Sequence, residues 1–150
     1  MDEYYMRFAL EEALKAFDKK EVPIGAVIVR DNKIVSAAHN LRETLKDATA
    51  HAELIAIKEA CEALGGWRLT NSTLYATIEP CPMCAGAILQ SRIQRVVIGS
   101  MDPKAGACGS IVNLLNMNEF NHQVEITTGV LEEECADIMR RFFKELRKKA

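Results

Sequence analysis

The stretch "TLYATIEPCPMCAGAILQS" (residues 73–91) changes character at "EP": β-branched and aromatic residues precede it, and a helix-forming run follows it. We expect a strand over Thr73–Ile78 and a helix over about Cys81–Ser91. Pro82 suits the first turn of this helix, because a proline there gives up no hydrogen bond. The C-x-x-C motif therefore lies where a helix begins directly after a strand.

Outward from this stretch, the chain alternates between strand-like and helix-like segments. We expect further helices over residues 2–19, 50–64 and 131–149, and further strands over residues 24–30, 34–39, 95–100 and 124–128. The short turn Asp31-Asn32-Lys33 predicts an antiparallel hairpin of the first two strands, whereas strands joined through helices should run parallel. The sequence thus predicts an α/β fold, a three-layer α/β/α sandwich with a central mixed five-stranded sheet.

Two helices carry more detailed expectations. The first should bury an apolar face and turn Glu11 and Glu12 away from the core. The expected apolar face consists of Leu10, Ala13, Leu14 and Phe17. In the second, Thr49 is a candidate N-cap, His51 then falls in the first turn, and Gly65-Gly66 should end the helix.

The composition sets broad limits. With 150 residues, 49% of them apolar, the chain can form one domain over residues 1–150. Its 19 basic and 21 acidic side chains nearly cancel, so a nucleic-acid partner would need a local basic patch. The N-terminus begins with acids rather than a secretory signal, and no apolar run approaches the roughly 18–20 residues that span a bilayer. We therefore expect a cytoplasmic protein with no membrane contact and with reduced cysteines.

The C-x-x-C motif of Cys81 and Cys84 is ambiguous alone, because redox sites and ordinary packing also use it. His51 opens a different helix, so two helix starts can converge on one ion. One imidazole and two thiolates match the preferences of zinc, and three protein ligands leave the fourth position that distinguishes a catalytic zinc from a structural one. A solitary histidine is more often a surface or core residue. A closed structural site would need a fourth ligand, for which none of the remaining residues has helpful spacing: Cys61, Cys108, Cys135, His39 and His122.

Glu53 is the candidate proton carrier beside this site. Residues two apart do not share a face of a regular helix, so His51 should point inward from the helix entry while Glu53 reaches round from the first turn. An acid at this position can also simply interact with the helix dipole. Next to a catalytic zinc, however, a carboxylate can take a proton from water and pass it on, which indicates hydrolysis.

"HAE" (residues 51–53) together with "PCPMC" (residues 80–84) resembles the signature of the zinc nucleobase deaminases. Further segments extend the resemblance to the family of bacterial tRNA-specific adenosine deaminases, within the cytidine/deoxycytidylate deaminase superfamily: "EVPIGAVIV", "AHN", "TLYATIEPCPMCAGAILQSRI", "DPKAGACGS", "FNHQVEIT" and "RRFFKELRK". The resemblance covers nearly the full chain. It implies one Zn²⁺ per chain held by His51, Cys81 and Cys84, with Glu53 moving protons as adenosine becomes inosine.

The same resemblance implies substrate contacts outside the metal site. Asn40 matches an asparagine that contacts the target nucleotide, the backbone amide of Ala52 would read the base edge, and Asp102 matches a residue near the nucleotide backbone. Taken singly, Asn40 is equally a turn residue and Asp102 a loop or helix cap. The alternatives remain open on the residues alone.

The last eleven residues hold six basic side chains and one acid. Such a tail is commonly a solvated helix end whose cations favour the dipole. The pair Phe142-Phe143 adds a second reading, in which one ring packs on the core while Phe143, with Lys144 and Arg147, meets a single-stranded RNA loop. The resemblance implies the wobble adenosine of a tRNA anticodon loop as substrate, and a homodimer.

Two rival functions share parts of this pattern. A deaminase of free cytidine, deoxycytidylate or guanine would carry the same zinc signature. A non-enzymatic, zinc-stabilised RNA-binding module would carry the ligands but would have no use for Glu53. The basic aromatic tail and the extent of the resemblance favour the tRNA substrate over the first rival.

Overall fold

The computed structural model describes residues 1–149, so Ala150, the last position of the domain predicted over 1–150, lies outside the described residues. The helices are α1 (Asp2–Asp18), α2 (Ala52–Leu64), α3 (Pro82–Gln90) and α4 (Glu132–Lys148), and the strands are β1 (Gly25–Arg30), β2 (Lys33–His39), β3 (Ser72–Ile78), β4 (Arg95–Ser100) and β5 (Glu125–Thr128). All nine predicted elements are confirmed, each end within two residues. The single 3₁₀ turn Leu114–Asn116 was not predicted. No helix in the described part of the chain has both the length and the apolar character needed to cross a bilayer.

The five strands form one mixed sheet in the order β2-β1-β3-β4-β5. β1 is antiparallel to both neighbours, while β3, β4 and β5 run parallel. The hairpin loop consists of Asp31 and Asn32 alone, both with positive φ (52° and 60°), as a tight two-residue hairpin turn requires. The predicted parallel pairing across α3 is confirmed. β2 and β3, joined through α2, share a direction, but β1 lies between them.

Alternating residues of β1 assign the helices to two layers. Ala26 and Ile28 belong to the core cluster that contains buried residues of α2 and α3. Val27 and Val29 belong to the second cluster, with residues of α1 and α4. Because successive side chains of a strand point to opposite faces, α2 and α3 cover one face and α1 and α4 the other. The predicted three-layer α/β/α sandwich is confirmed.

The predicted apolar face of α1 was partly wrong. Leu14 is exposed, whereas Glu12 is buried and its carboxylate oxygen lies 2.8 Å from Nδ1 of His39. The helix lies against β1 through small residues: a Cβ added to Gly25 would be 1.9 Å from the carbonyl oxygen of Ala9. Close approach of the backbones therefore decides which face is buried, and the pairing with His39 satisfies the charge that this rotation buries.

The predicted N-cap of α2 was wrong, although the helix begins within two residues of the predicted start. Thr49 does not cap the helix, because its hydroxyl and its amide both donate to Oδ1 of Asp47, at 2.6 and 2.8 Å. The N-cap is His51, with extended backbone angles (φ −79°, ψ 149°). The expected stop is confirmed, since Gly65 adopts the left-handed conformation at the C-cap.

Candidate active site

Two helix starts meet at one end of the sheet. His51 is the N-cap of α2 and Cys81 the N-cap of α3, and both have extended backbones. Pro82 occupies the first turn of α3, as predicted, and Cys84 follows within that turn. An N-cap residue does not follow the helical side-chain pattern. His51 can therefore face the same space as Glu53, although the two residues are only two positions apart.

The three predicted ligand atoms lie close together. Nδ1 of His51 is 3.6 Å from the sulfur of Cys81 and 3.6 Å from that of Cys84, and all three ligand atoms lie within 4.8 Å of one another. For a tetrahedral ion with the usual zinc bond lengths, a nitrogen and a sulfur ligand should be separated by about 3.6 Å. One imidazole and two thiols at this spacing could hold a metal ion. The other histidines and cysteines among the described residues fall outside this group.

The two sulfurs differ in electrostatic environment. Hydrogen bonds from Cys84 and His51 lower the pKa of Cys81 to about 4, despite partial burial. Cys81 and burial raise the pKa of Cys84. The hydrogen bond to Cys81 in turn raises the pKa of His51. The two thiols therefore shift in opposite directions, and a cation placed among the three groups would favour deprotonation of both.

Glu53 is buried on the first turn of α2, with 4% of its surface exposed. Burial raises the pKa of its carboxyl to about 7, the range in which a group both takes and gives protons near neutral pH. The neighbouring thiolate of Cys81 raises this pKa further, while its own backbone amide and His51 lower it. A carboxyl in this state beside a metal-binding group fits general acid–base chemistry.

These groups face a pocket of about 140 Å³. Its lining comprises Val22, Ile24, Asn40, Arg42, His51, Ala52, Glu53, Ile78, Glu79, Cys81, Asp102 and Ala105. Apolar side chains and a few convergent polar groups are typical of a small-molecule or nucleotide site. The pocket therefore contains two of the three metal-ligand candidates, the proton carrier and three of the predicted substrate contacts.

Asn40, Ala52 and Asp102 all line this pocket, and two of them also stabilise loops. The side-chain oxygen of Asn40 accepts from the amide of Arg42 at 3.1 Å, and its nitrogen donates to the carbonyl of Val22 at 3.2 Å. Oδ1 of Asp102 accepts from the amides of Lys104 and Ala105 at 3.0 and 3.3 Å. Asn40 and Asp102 can therefore cap their loops and also contact a ligand in the pocket, because each side chain keeps further hydrogen-bonding capacity.

Sequence reasoning missed two buried carboxylates that hold the walls of the pocket. Glu21 accepts from the amides of Glu43 and Thr44, at 3.0 and 2.6 Å, and so holds the loop that carries Arg42. Glu79 accepts from the loop that carries Asp102. The sequence did contain a signal for Glu79: an acid that directly follows a strand rich in β-branched residues is a candidate for a buried carboxylate.

The C-terminal end of α4 lies at the same end of the sheet as the pocket. Phe142 is buried and its ring centroid lies 6.0 Å from that of Phe17, near the end of α1. Phe17 and Lys20 share a surface groove with the last turns of α4, and Val22, two residues further along the chain, lines the pocket. The adjacent Phe143 is 38% exposed, and Lys144 and Arg147 are exposed. The structure therefore packs the last turns of α4 beside the segment that leads into the pocket, and Phe143, Lys144 and Arg147 are not part of the pocket lining.

Comparison with known proteins agrees with this geometry. Residues 1–147 match the family model of the MafB19-like deaminases. The chain is 57% identical to a tRNA-specific adenosine deaminase of Bacillus subtilis, over 99% of this chain and 92% of the relative. It is 47% identical to a tRNA-specific adenosine deaminase of Aquifex aeolicus, over 97% and 95%.

Two solved structures share the fold of this chain. One from work on A-to-I editing by tRNA:A34 deaminases superposes with a TM-score of 0.87 at 44% identity, covering 90% of this chain and 98% of that one. A guanine deaminase from Nitrosomonas europaea shares the fold, with a TM-score of 0.78 at 21% identity over 93% of this chain and 83% of that one. The sequence relatives and the tRNA:A34 deaminase structure identify the chain as a member of the tRNA-specific adenosine deaminase family, among the MafB19-like deaminases.

Proposed function

We propose that this protein is a hydrolytic deaminase that converts adenosine to inosine at the wobble position of a tRNA anticodon loop. The observation that carries the proposal is a pocket lined by Glu53, His51 and Cys81, in which the last two form a metal-binding group with the buried Cys84. The chain's 57% identity with a tRNA-specific adenosine deaminase supports the choice of substrate. We further propose that residues 1–150 form one domain that acts in the cytoplasm as a homodimer.

His51, Cys81 and Cys84 are the proposed ligands of one Zn²⁺ per chain. The nitrogen-to-sulfur distances of 3.6 Å and the one-imidazole, two-thiol donor set support this choice of metal. When bound, zinc would lower the pKa of water so that hydroxide is available at neutral pH.

Glu53 is the proposed proton carrier. Its carboxylate accepts a proton from the attacking water and delivers it to the purine ring. It then accepts the remaining proton of the added hydroxyl and delivers it to the leaving amine. One water is consumed and one ammonia is released, so the carbon that carried the amino group becomes the carbonyl carbon of inosine. Burial, which raises the pKa of Glu53 to about 7, supports both halves of this cycle.

The proposed substrate contacts act on binding and orientation. Asn40, Asp102 and the amide of Ala52 hold the target nucleotide. The amide of Ala52 belongs to the first turn of α2, where backbone N–H groups have no partner within the helix. Outside the pocket, Phe143, Lys144 and Arg147 contact the rest of the RNA loop through stacking and phosphate charge.

A panel of substrates tests the proposal. The zinc-loaded protein is incubated separately with a transcribed tRNA carrying adenosine at the wobble position, the same tRNA carrying guanosine there, free adenosine, free cytidine and free guanine. Ammonia and inosine should form only with the first. Ammonia from cytidine or guanine, with none from the tRNA, would instead identify a deaminase of small molecules. Tight tRNA binding with no ammonia from any substrate would indicate an RNA-binding module.

A further inference from the structure

Glu79 is a buried carboxylate that the proposed chemistry does not use. It directly follows β3 and lies two residues before Cys81, with 4% of its surface exposed. Its Oε1 accepts from the amide of Asp102 at 2.8 Å, and its Oε2 accepts from the amides of Cys108 and Ser110, both at 3.0 Å. The hydroxyl of Ser110 also donates to Oε1. Both oxygens are thus filled by donors from one loop.

This loop, residues 101–110, has little structure of its own. It contains turns and a single isolated bridge, between Cys108 and Asn113, and no helix or strand. Its other backbone tie to the strand end is the amide of Ala107, which donates to the carbonyl of Pro80 at 2.9 Å. Glu79 and the residue after it therefore tie the loop to the end of β3, while Ala107 and Cys108 anchor its second half in the core.

The fit between the loop and the carboxylate leaves no spare space. Gly106 lies so close that an added Cβ would be 2.2 Å from both the carboxyl carbon and Oε1 of Glu79. The carboxylate of a glutamate can usually move aside, because the side chain is flexible. Here four hydrogen bonds hold the carboxylate, so a larger residue at position 106 has to displace the loop instead.

The loop carries Asp102 and Ala105, two residues of the pocket wall. On its other side, Glu79 is continuous with Cys81, a ligand candidate and N-cap of α3. One carboxylate thus joins the wall that faces the nucleotide to the chain segment that carries the metal ligand. A displacement of about 1 Å in such a wall can cost roughly 100-fold, and here the loss should fall on KM because the wall contacts the nucleotide rather than the reacting atoms.

We propose that Glu79 is a positioning residue that fixes the loop of residues 101–110 against the metal site and thereby sets the affinity for the target nucleotide. The inference rests on the proposed function, because Asp102 matters here as a substrate contact. A carboxylate suits the task because it only accepts hydrogen bonds, and all four partners are donors. An amide at this position would turn its own N–H groups toward backbone N–H groups.

Two substitutions disrupt the contact between the Glu79 carboxylate and the loop, one on each side of it. Glu79→Gln keeps the shape of the side chain and loses two of its acceptor positions, while Gly106→Ala keeps the carboxylate and pushes the loop away from it. Each should accelerate amide hydrogen exchange at Asp102, Cys108 and Ser110. Each should raise KM for an anticodon stem-loop by on the order of 10- to 100-fold, with a much smaller change in kcat and with zinc still bound.

The double variant provides the sharpest comparison. If both changes release one loop, the rise in KM for Glu79→Gln with Gly106→Ala should be close to that of the worse single variant rather than the product of the two. Ser110→Ala, at an exposed position, removes one donor without endangering the fold and should give a smaller rise in the same direction. Glu21→Gln is the matched control: this carboxylate is equally buried and holds the other loop, so exchange at Asp102, Cys108 and Ser110 should match the parent.

Three results would overturn the proposal. One is loss of zinc from Glu79→Gln, which would make Glu79 a support of the metal ligands alone. Another is faster exchange in the loop with no change in KM. The third is parental KM and exchange in both Ser110→Ala and Gly106→Ala. The unsubstituted protein is assayed alongside, and if it forms no inosine from the tRNA, the proposed function fails rather than the role of Glu79.

Discussion

Glu53 reaches the pocket beside His51 because the histidine precedes the helix that carries the glutamate. Glu53→Gln should keep the shape of this site and remove its proton acceptor. We expect zinc content and the melting temperature to stay near those of the parent, and turnover to fall by on the order of 100- to 10,000-fold. Metal analysis and single-turnover inosine formation measure the two effects separately. Near-parental inosine formation would remove Glu53 from the mechanism.

Cys84 is the most buried of the three ligand candidates. Cys84→Ser should lose most of the metal, and the protein should also lose stability, because the free energy of metal binding contributes to folding. We expect a chelator to lower the melting temperature of the parent and to change that of the variant little. Full zinc content in the variant would exclude Cys84 as a ligand. Cys61 is half-buried in the last turn of α2, away from the ligand candidates at the start of the helix. Cys61→Ser is the control and should retain zinc.

At the scale of elements, the start of α1 is tied to the sheet through Asp2. Its carboxylate accepts from the guanidinium of Arg95 at 2.6 and 3.0 Å and from the hydroxyl of Tyr75 at 3.0 Å. Hydrogen bonds from Arg95 hold the pKa of Asp2 below its ordinary value of 3.8, despite an opposing effect of burial. A lowered pKa means that this tie stabilises the protein fully above the unfolded-state pKa and is lost as the pH falls through the folded-state pKa.

Asp2→Asn should therefore cost roughly 1–3 kcal/mol in the free energy of unfolding at pH 7. The difference from the parent should shrink as the pH falls below about 4, near the ordinary pKa of 3.8. Urea titrations at several pH values, with chelator in all samples so that metal release does not contribute, measure it. Asp31→Asn, in the exposed hairpin turn, is the control for the removal of one carboxylate. A constant difference from pH 7 to pH 3 would contradict the charge-based tie.

The last turns of α4 carry the second prediction at this scale. Replacing Lys144, Arg147 and Lys148 with alanine should weaken tRNA binding and flatten its dependence on salt, since each lost phosphate contact removes roughly 0.7 from the log–log slope. Zinc should stay, and saturating tRNA should restore much of the rate, so KM rises more than kcat falls. Affinity at two or more salt concentrations is the measurement.

A matched triple variant controls for net charge. Arg7, Lys33 and Arg68 are exposed and belong to the N-terminal half of α1, the β1–β2 hairpin and the loop before β3, away from the pocket. Their replacement with alanine removes the same charge and should leave the salt slope at the parental value. Equal slopes for the parent and the Lys144/Arg147/Lys148 variant would mean that the tail is only a solvated helix end.

At the scale of the whole molecule, the sequence predicts what local patterns determine. Strand runs, the hairpin turn, Pro82 and Gly65 set the element bounds, and the order of elements implies the layered sheet. Local patterns could not predict contacts between segments that are distant in the sequence. Glu12 turns inward because His39, 27 residues away, meets it, and Glu79 holds a loop whose nearest partner residue is 23 positions later. Thr49 failed as a cap because Asp47 competes for its hydroxyl.

In the candidate site, too, local patterns were predictable and contacts between distant segments were not. The grouping of the three ligand candidates near Glu53 was predictable because each lies at or just after a helix start, where local signals are strong. The pocket walls were only partly predictable: Asn40 and Asp102 came from the family resemblance, whereas Glu21 and Glu79 act through loops with no periodic pattern. A buried acid inside a loop connection becomes informative only once its backbone partners are known.

The central claim is that this pocket deaminates one adenosine of an anticodon loop. The most direct measurement is position-resolved sequencing of a tRNA after incubation with the zinc-loaded protein, reading inosine as guanosine, alongside the Glu53→Gln variant. We predict complete conversion at the wobble adenosine, no conversion at other adenosines of the tRNA, and loss of conversion in the variant. Unchanged adenosine at the wobble position with the parent protein, or equal conversion by Glu53→Gln, would contradict the account.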